Sequence, residues 1–301
     1  MYKTKIETFD ATWNPVTGCL HGCRYCYARG IAERFGGWTD GTGVTRRDGA
    51  AAGDPPSVAV LDEPLTVVRD GKGGRRETAP YPYGFSPTFH RYRLGEQSMK
   101  KGRNVFVGSM TDLFGKWVPD SVITEIFDVC AASPQHCWFF LSKNPGRYAS
   151  LAAAGLLPAG DNMWYGHTRC LDVRCRESWF TADEKAWFGS VHETYNTFVS
   201  IEPLLGKISV PMTDWVIVGA ETGNGRDRVV PRREWIAGIV EECREKGIPL
   251  FMKSNILGIW HGEPVREFPA GMRETKKVSP WTRGEAAWRR TGGRDSGAGT
   301  P

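Results

Sequence analysis

No stretch of the 301-residue chain approaches the ~20 consecutive apolar residues that a bilayer-spanning helix needs, so a membrane-embedded protein is not expected. The opening Met1-Tyr2-Lys3-Thr4-Lys5-Ile6-Glu7 has no apolar core of a secretory signal, and the cytoplasm is the expected compartment. A large excess of one charge sign is lacking. The formal net charge of +5 permits a polyanionic partner without demanding one. The glycine-rich Gly219-Ala220-Glu221-Thr222-Gly223-Asn224-Gly225 lacks both the Gly-Lys-Ser/Thr end of a P-loop and the G-x-G-x-x-G spacing of a dinucleotide site. No internal repeat stands out beyond a generic strand–helix alternation. Eight cysteines in a chain of this size, without a signal, point to reduced thiols and metal rather than to a disulfide framework. The 40% hydrophobic and 24% charged residues are those of a soluble globular protein.

What is present is concentrated in one run, Gly18-Cys19-Leu20-His21-Gly22-Cys23-Arg24-Tyr25-Cys26-Tyr27. Cys19, Cys23 and Cys26 are spaced C-x3-C-x2-C and offer three thiolates. A structural zinc site is closed by four protein ligands, so the set is one short, although His21 or a distant cysteine could complete it. A cubane iron–sulfur cluster on three cysteines instead keeps one iron free for a non-protein ligand. Thr12–Thr17 reads as a short strand and Tyr27–Phe35 as a helix. The cysteine loop then lies at the carboxyl end of a strand, where barrel enzymes place their chemistry.

From about residue 84 onward, β-rich runs alternate with helical patterns. The runs are Gly84–His90, Asn104–Ser109, Cys137–Ser142, Asn162–Thr168, Thr197–Ile201, Asp214–Gly219 and Pro249–Lys253. Continuous apolarity in most of them predicts strands covered on both faces, as in parallel sheets. Helices are predicted over Val122–Ala132, Gly146–Ala154 and Arg232–Lys246, with Gly155 and Gly247 as stops. The expectation is an α/β fold, a full or partial (β/α) barrel of about six to eight parallel strands. A doubly wound open sheet is the alternative. Residues 1–270 are expected to form this domain, with a glycine-rich insertion at 36–82 that is partly a β-hairpin. Residues 271–301 are expected to form a basic, partly disordered tail.

Residues just past each strand of such a fold face the site. These are Ser109 and Asp112, Ser142 and Lys143, His167 with Thr168 and Arg169, Glu202, Glu221, and Lys253 with Ser254. A zwitterionic cofactor and its ribose need several convergent donors and acceptors on rigid mounts, and this recurrence would supply them. Cys170 and Cys175 also follow a strand end. Cys170 is a candidate catalytic thiol, whereas Cys130, Cys137 and Cys243 read as buried and inert. Asp112, Lys143, Cys170 and Glu221 are the candidates for chemistry. Ser109, Ser142, His167, Glu202 and Lys253 are the candidates for cofactor binding.

The C-x3-C-x-aromatic-C pattern resembles the cysteine loop of radical S-adenosylmethionine (SAM) enzymes. Four blocks resemble a phage- and prophage-encoded branch of that superfamily, related to spore photoproduct lyase-like and thymidine-hypermodifying enzymes. They are Asp10–Cys19, Phe106–Phe114, Ser200–Gly206 and Trp215–Gly223. The resemblance spans about residues 8–255 and omits the insertion and the tail. It implies a 4Fe–4S cluster on Cys19, Cys23 and Cys26, and SAM chelated by the free iron with Tyr25 against the adenine. Reductive cleavage would yield a 5′-deoxyadenosyl radical, drawing on an external one-electron donor such as flavodoxin or ferredoxin. It further implies a modified nucleobase in DNA as substrate, remodelled by an isomerase- or lyase-type reaction in a phage-infected bacterial cell.

A DNA substrate predicts a basic rim around the site, because phosphate contacts position the strand. Arg169, Arg174 and Arg176, Arg46, Arg47, Arg75 and Arg76, and Lys276 and Lys277 are the candidates. Trp38, Trp164 or Trp179 could stack on an extruded base. Two other functions compete: a radical SAM enzyme acting on a peptide or small metabolite, and a non-catalytic zinc-stabilised nucleic-acid-binding protein.

Overall fold

The apolar runs do become strands covered on both faces. The computed structural model describes residues 1–36, 58–68, 76–97, 101–170, 187, 194–222 and 228–275. Its strands are, in chain order, β1 (Tyr2–Lys3), β2 (Ala11–Trp13), β3 (Val16–Thr17), β4 (Ala59–Leu61), β5 (Thr66–Val68), β6 (Arg76–Thr78) and β7 (Thr88–His90). After them come β8 (Asn104–Val107), β9 (Cys137–Ser142), β10 (Met163–Thr168), β11 (Asn196–Ile201), β12 (Val216–Val218) and β13 (Leu250–Met252). The described helices are α1 (Tyr27–Phe35), α2 (Asp120–Ala131), α3 (Pro145–Ala153), α4 (Arg233–Lys246) and α5 (Ser254–Trp260). None is long and apolar enough to cross a membrane.

One eight-stranded sheet carries the order β1-β2-β8-β9-β10-β11-β12-β13. Only β1, at the edge, is antiparallel to its neighbour; the other pairings are parallel. The parallel strands follow one another in chain order without reversal. A doubly wound sheet reverses direction at a switch point, so that alternative is excluded. No strand pairing joins β13 to β1 or β2 among the described residues. Side chains bridge the two ends instead. Glu7, just before β2, accepts from the Ser254 amide (3.0 Å) and hydroxyl (2.5 Å) just after β13, and pairs with Arg266 at 3.1 Å.

The two faces of the sheet are separated by strand alternation. Val107, Phe140, Tyr165, Val199 and Val218 point to one face and pack with Ile126 and Phe127 of α2, Tyr148 of α3 and Ile239 of α4. Phe106, Phe139, Trp164, Phe198, Ile217 and Phe251 point to the other, where Phe9, Phe268 and Met272 cover them. This second cluster contains no residue of a described helix. On it, Gly166 makes room for the Phe198 ring: a Cβ at Gly166 would stand 2.3 Å from Phe198 Cζ. Gly166→Ala is therefore expected to lower stability by roughly 1–3 kcal/mol, as overpacking of a filled core does. A chemical-denaturation midpoint checks this, and an unchanged midpoint would show that the face yields.

Two expected strands are differently placed. Thr12–Thr17 is broken into β2 and β3, because Pro15 has no N–H to continue a ladder. Gly84–His90 contributes only β7, and to a separate three-stranded sheet of order β3-β7-β4 rather than to the main one. Its apolar residues fit either location, and the pairing partner decides. Within 36–82 the described residues also hold the antiparallel pair β5–β6. Residues 276–301 lie outside the described residues.

Candidate functional site

The cysteine loop occupies the turn between β3 and α1. Gly18 opens it at φ +86°, a left-handed conformation, and a Cβ there would meet the Ser86 carbonyl oxygen at 2.3 Å. Both constraints demand glycine. The loop is stitched to the segment after β8: the Gly18 amide donates to Met110 O (2.9 Å), and the Thr111 hydroxyl donates to Gly18 O (2.6 Å). At the far end Cys26 is the N-cap of α1, its Sγ accepting from the Arg29 amide at 3.4 Å. Cys19, at the near end, directly follows Gly18. Burial first, then the nearby Asp112, push its thiol up to about 12, so as a free thiol it is protonated at neutral pH and would release that proton on binding metal.

Cys19, Cys23, Tyr25 and Cys26 line one cavity of about 250 Å³. Ser109, Asp112, Ser142, Lys143, Glu202, Glu221 and Lys253 line the same cavity, so the strand-end residues from β8, β9, β11, β12 and β13 converge on the cysteines. None of the described cysteines is in a disulfide. Among the described residues no three His, Cys, Asp or Glu side chains are gathered as a single metal ion would require.

The strongest local anchor is Asp112, whose side chain is 7% exposed. One carboxylate oxygen accepts from the Ser142 hydroxyl (2.8 Å) and the Phe114 amide (3.0 Å). The other accepts from the Lys143 amide (2.8 Å) and His21 Nε2 (2.7 Å). Burial by itself would raise the Asp112 pKa, but His21, the Lys143 amide and the Ser142 hydroxyl outweigh it and hold the carboxyl below its ordinary value. His21 also packs edge-on against Trp117, with centroids 4.9 Å apart. Asp112 thus joins the ends of β8 and β9 to the cysteine loop. Each of its oxygens already serves two donors, so in this structure the carboxylate holds the loop and the strand ends together. Ser142 is similarly committed, since its hydroxyl also accepts from the Asn144 amide (2.9 Å).

The other candidates divide between the rim and the layer behind it. Lys253 Nζ grips Glu202 at 2.8 Å (Oε1) and 2.6 Å (Oε2). Glu221 accepts from the Val229 amide (3.1 Å) and lies 3.7 Å from Arg24 of the cysteine loop. The Ser109 hydroxyl donates to Asn14 Oδ1 at 3.1 Å. Lys143 Nζ stands 5.4 Å from the centre of the Tyr25 ring, a cation–π geometry.

Of the candidates for chemistry or cofactor binding, two do not line the cavity. His167 points to the helix-covered face. It is fully buried, its Nδ1 is 3.1 Å from Ser142 O, and burial drives its pKa down to about 3, so it is neutral. Strand parity explains the correction: Trp164, Gly166 and Thr168 share the open face, and His167 falls on the other. Thr168, not His167, lines the cavity. Cys170 is buried behind Tyr25, with its Sγ 2.7 Å from the Tyr25 hydroxyl.

Arg169 is buried and donates to Ser209 O, so it forms no part of a basic rim. Trp164 is buried, stacked on Phe139 at 5.5 Å. Cys175, Arg46, Arg47, Arg75, Arg174, Arg176, Lys276, Lys277, Trp38 and Trp179 lie outside the described residues. Sequence reasoning missed Thr8, Asn14 and Ser200, and gave His21 only as a possible metal ligand. Parity along β11 would have found Ser200, two residues from Phe198 and from Glu202.

The model of one protein family, described as a protein of unknown function (DUF5131), matches residues 3–278. No curated protein and no solved structure matches the chain at a significant level.

Proposed function

We propose, on the premise that the chain belongs to the DUF5131 family, that it is a radical SAM enzyme acting on a modified nucleobase in DNA. In this reading the parallel sheet is the partial (β/α) barrel of that superfamily. The observation that carries the proposal is the convergence of a C-x3-C-x2-C loop with polar residues from six strand ends on one cavity. The donor set fits a 4Fe–4S cluster: none of the three cysteines is tied up in a disulfide, all three line the cavity, and one caps a helix N-terminus. In a cubane each thiolate takes its own iron, so the thiols need not meet at one point as a single zinc ion requires.

Cys19, Cys23 and Cys26 would hold the cluster, with SAM on the free iron and Tyr25 against the adenine. When bound, cluster and SAM together supply a one-electron cleavage that leaves a carbon radical, fed by a flavodoxin- or ferredoxin-type donor. The protein's own residues position and enclose. Glu202 and Lys253 present opposite charges at the rim, where the amino and carboxylate groups of a zwitterion find partners. Asp112 and His21 fix the cysteine loop against β8 and β9, and Glu221 restrains it through Arg24. Cys170 orients the Tyr25 ring, and Lys143 covers it.

The test is anaerobic reconstitution with iron and sulfide, then dithionite and SAM, with and without single-stranded DNA carrying a modified thymine. 5′-Deoxyadenosine release is expected, stimulated by the DNA. DNA binding should weaken steeply with salt, as displaced counterions require. Iron-loaded protein that releases no 5′-deoxyadenosine in any arm would overturn the reaction class. Release unaffected by DNA, with salt-insensitive binding, would favour a small-molecule substrate.

A further inference from the structure

The cysteine loop has two sides. Cys19, His21, Cys23 and Tyr25 line the cavity, whereas Leu20, Gly22 and Arg24 do not line it and are exposed. This alternation leaves the loop one chain thick between the cavity and solvent. Leu20 is 42% exposed, and a Cβ at Gly22 would meet nothing within 4 Å. The three thiols are themselves only half-buried. A group held by them lies directly behind an uncovered surface.

That surface continues along α1. The buried residues of the helix are the small Ala28 and Ala32, and Ile31, Arg34 and Phe35 stay exposed. Arg34 stands 5.4 Å from the centre of the Phe35 ring and Arg29 4.9 Å from that of Phe85, both cation–π geometries. Neither guanidinium pairs with a carboxylate among the described residues. Residues 19–35 hold Arg24, Arg29 and Arg34 against Glu33, so the exposed Leu20, Ile31 and Phe35 sit in a basic setting. Exposed apolar groups edged by charge mark an interaction site. A second copy of the chain fits this face poorly, because a two-fold contact would bring the same arginines together. The substrate belongs in the cavity, and Leu20, Ile31 and Phe35 line none of it.

We propose that the outer side of the cysteine loop and the exposed face of α1 dock a small acidic electron-transfer protein. Carboxylates of the partner meet Arg29 and Arg34, and its redox group stops over Leu20 and Gly22, behind the thiols. One electron leaves the donor's flavin hydroquinone, which becomes the semiquinone, and is taken up by the oxidised cluster; no bond forms or breaks. A weak redox encounter buries less than about 1,200 Å² in total, so one loop and two helical turns suffice. Complementary charge speeds such encounters more than it tightens them. The proposal rests on the reading of Cys19, Cys23 and Cys26 as cluster ligands, and it adds where the electron enters and which residues admit it.

Two reductants are compared on the anaerobically reconstituted full chain: flavodoxin reduced to its hydroquinone, and dithionite, a small donor that needs no docking face. Bleaching of the cluster is followed by stopped flow, and binding of oxidised flavodoxin by calorimetry. Flavodoxin should reduce the wild-type cluster at a rate that falls steeply with salt. Leu20→Glu and Arg34→Glu should each lower that rate, and the affinity for oxidised flavodoxin, about tenfold at low salt. Arg34→Lys should keep most of both. Iron content and the dithionite rate should stay at their wild-type values in every variant, which separates docking from damage to the cluster. Flavodoxin that reduces both glutamate variants as fast as wild type, or that does not reduce wild type at all, would overturn the proposal. So would a dithionite rate that falls in parallel. Single-stranded DNA that displaces flavodoxin would assign the face to nucleic acid and overturn it too. A chain that takes up no iron would sink the cluster reading and this proposal together, whereas a dithionite-reducible cluster with unaltered flavodoxin kinetics in the variants sinks the docking face alone.

Discussion

Anaerobically reconstituted protein should carry about four irons per chain, and the Cys19→Ala/Cys23→Ala/Cys26→Ala variant should carry none, because each protein-held iron of a cubane needs its own thiolate. Colour, iron content and the visible absorption of the cluster should vanish together. The contrast lies within the same chain. Cys130 and Cys243 are buried in the helix-covered core, and the Cys137 thiol donates to Gly271 O at 3.3 Å. Alanine at these three positions should leave the iron content unchanged. Stoichiometric zinc in the wild-type preparation, with no iron uptake on reconstitution, would defeat the cluster assignment.

The second large effect is expected at Asp112. Asp112→Ala leaves His21, the Ser142 hydroxyl and the Phe114 and Lys143 amides facing a void, and removing one partner of a buried charged network costs about 3–5 kcal/mol. Urea denaturation should show a loss of that order, whereas Glu125→Ala, on the surface pair with Arg91, should cost no more than about 1 kcal/mol. The pH dependence follows from the sign of the shift. Burial acts to raise the Asp112 pKa, and His21, the Lys143 amide and the Ser142 hydroxyl more than offset that, so its folded pKa lies below the unfolded value of about 3.9. Its contribution is fully present above the unfolded pKa and is lost as pH falls through the folded one. Wild-type stability should therefore decline below about pH 4, and Asp112→Asn should flatten that part of the curve. A variant as stable as wild type would show that the carboxylate does not anchor the loop.

Much of the site was legible because strand ends announce themselves. A polar residue directly after a continuous apolar run has nowhere to go but the carboxyl edge of a parallel sheet, and Ser109, Glu202, Glu221 and Lys253 all reach the cavity. Face assignment was less legible. His167 and Thr168 are neighbours with similar polarity, and only the parity set by Trp164 and Gly166 separates them. Saturation was not legible at all. Asp112 reads as a candidate acid or base until four donors, from residues 21, 114, 142 and 143, are seen to occupy it.

The sequence by itself determined the elements and the clustering of the three thiols. The helix over Tyr27–Phe35 and the runs at Cys137–Ser142 and Thr197–Ile201 follow from local pattern, and the three cysteines are near neighbours in the chain. Tertiary structure alone decided the sequential strand order, the diversion of β7 into a side sheet, and the tie from Glu7 to Ser254 across 247 residues. The reason is physical: local pattern governs which backbone conformation a segment prefers, whereas pairing and burial depend on which distant segments can satisfy the same faces and edges at once.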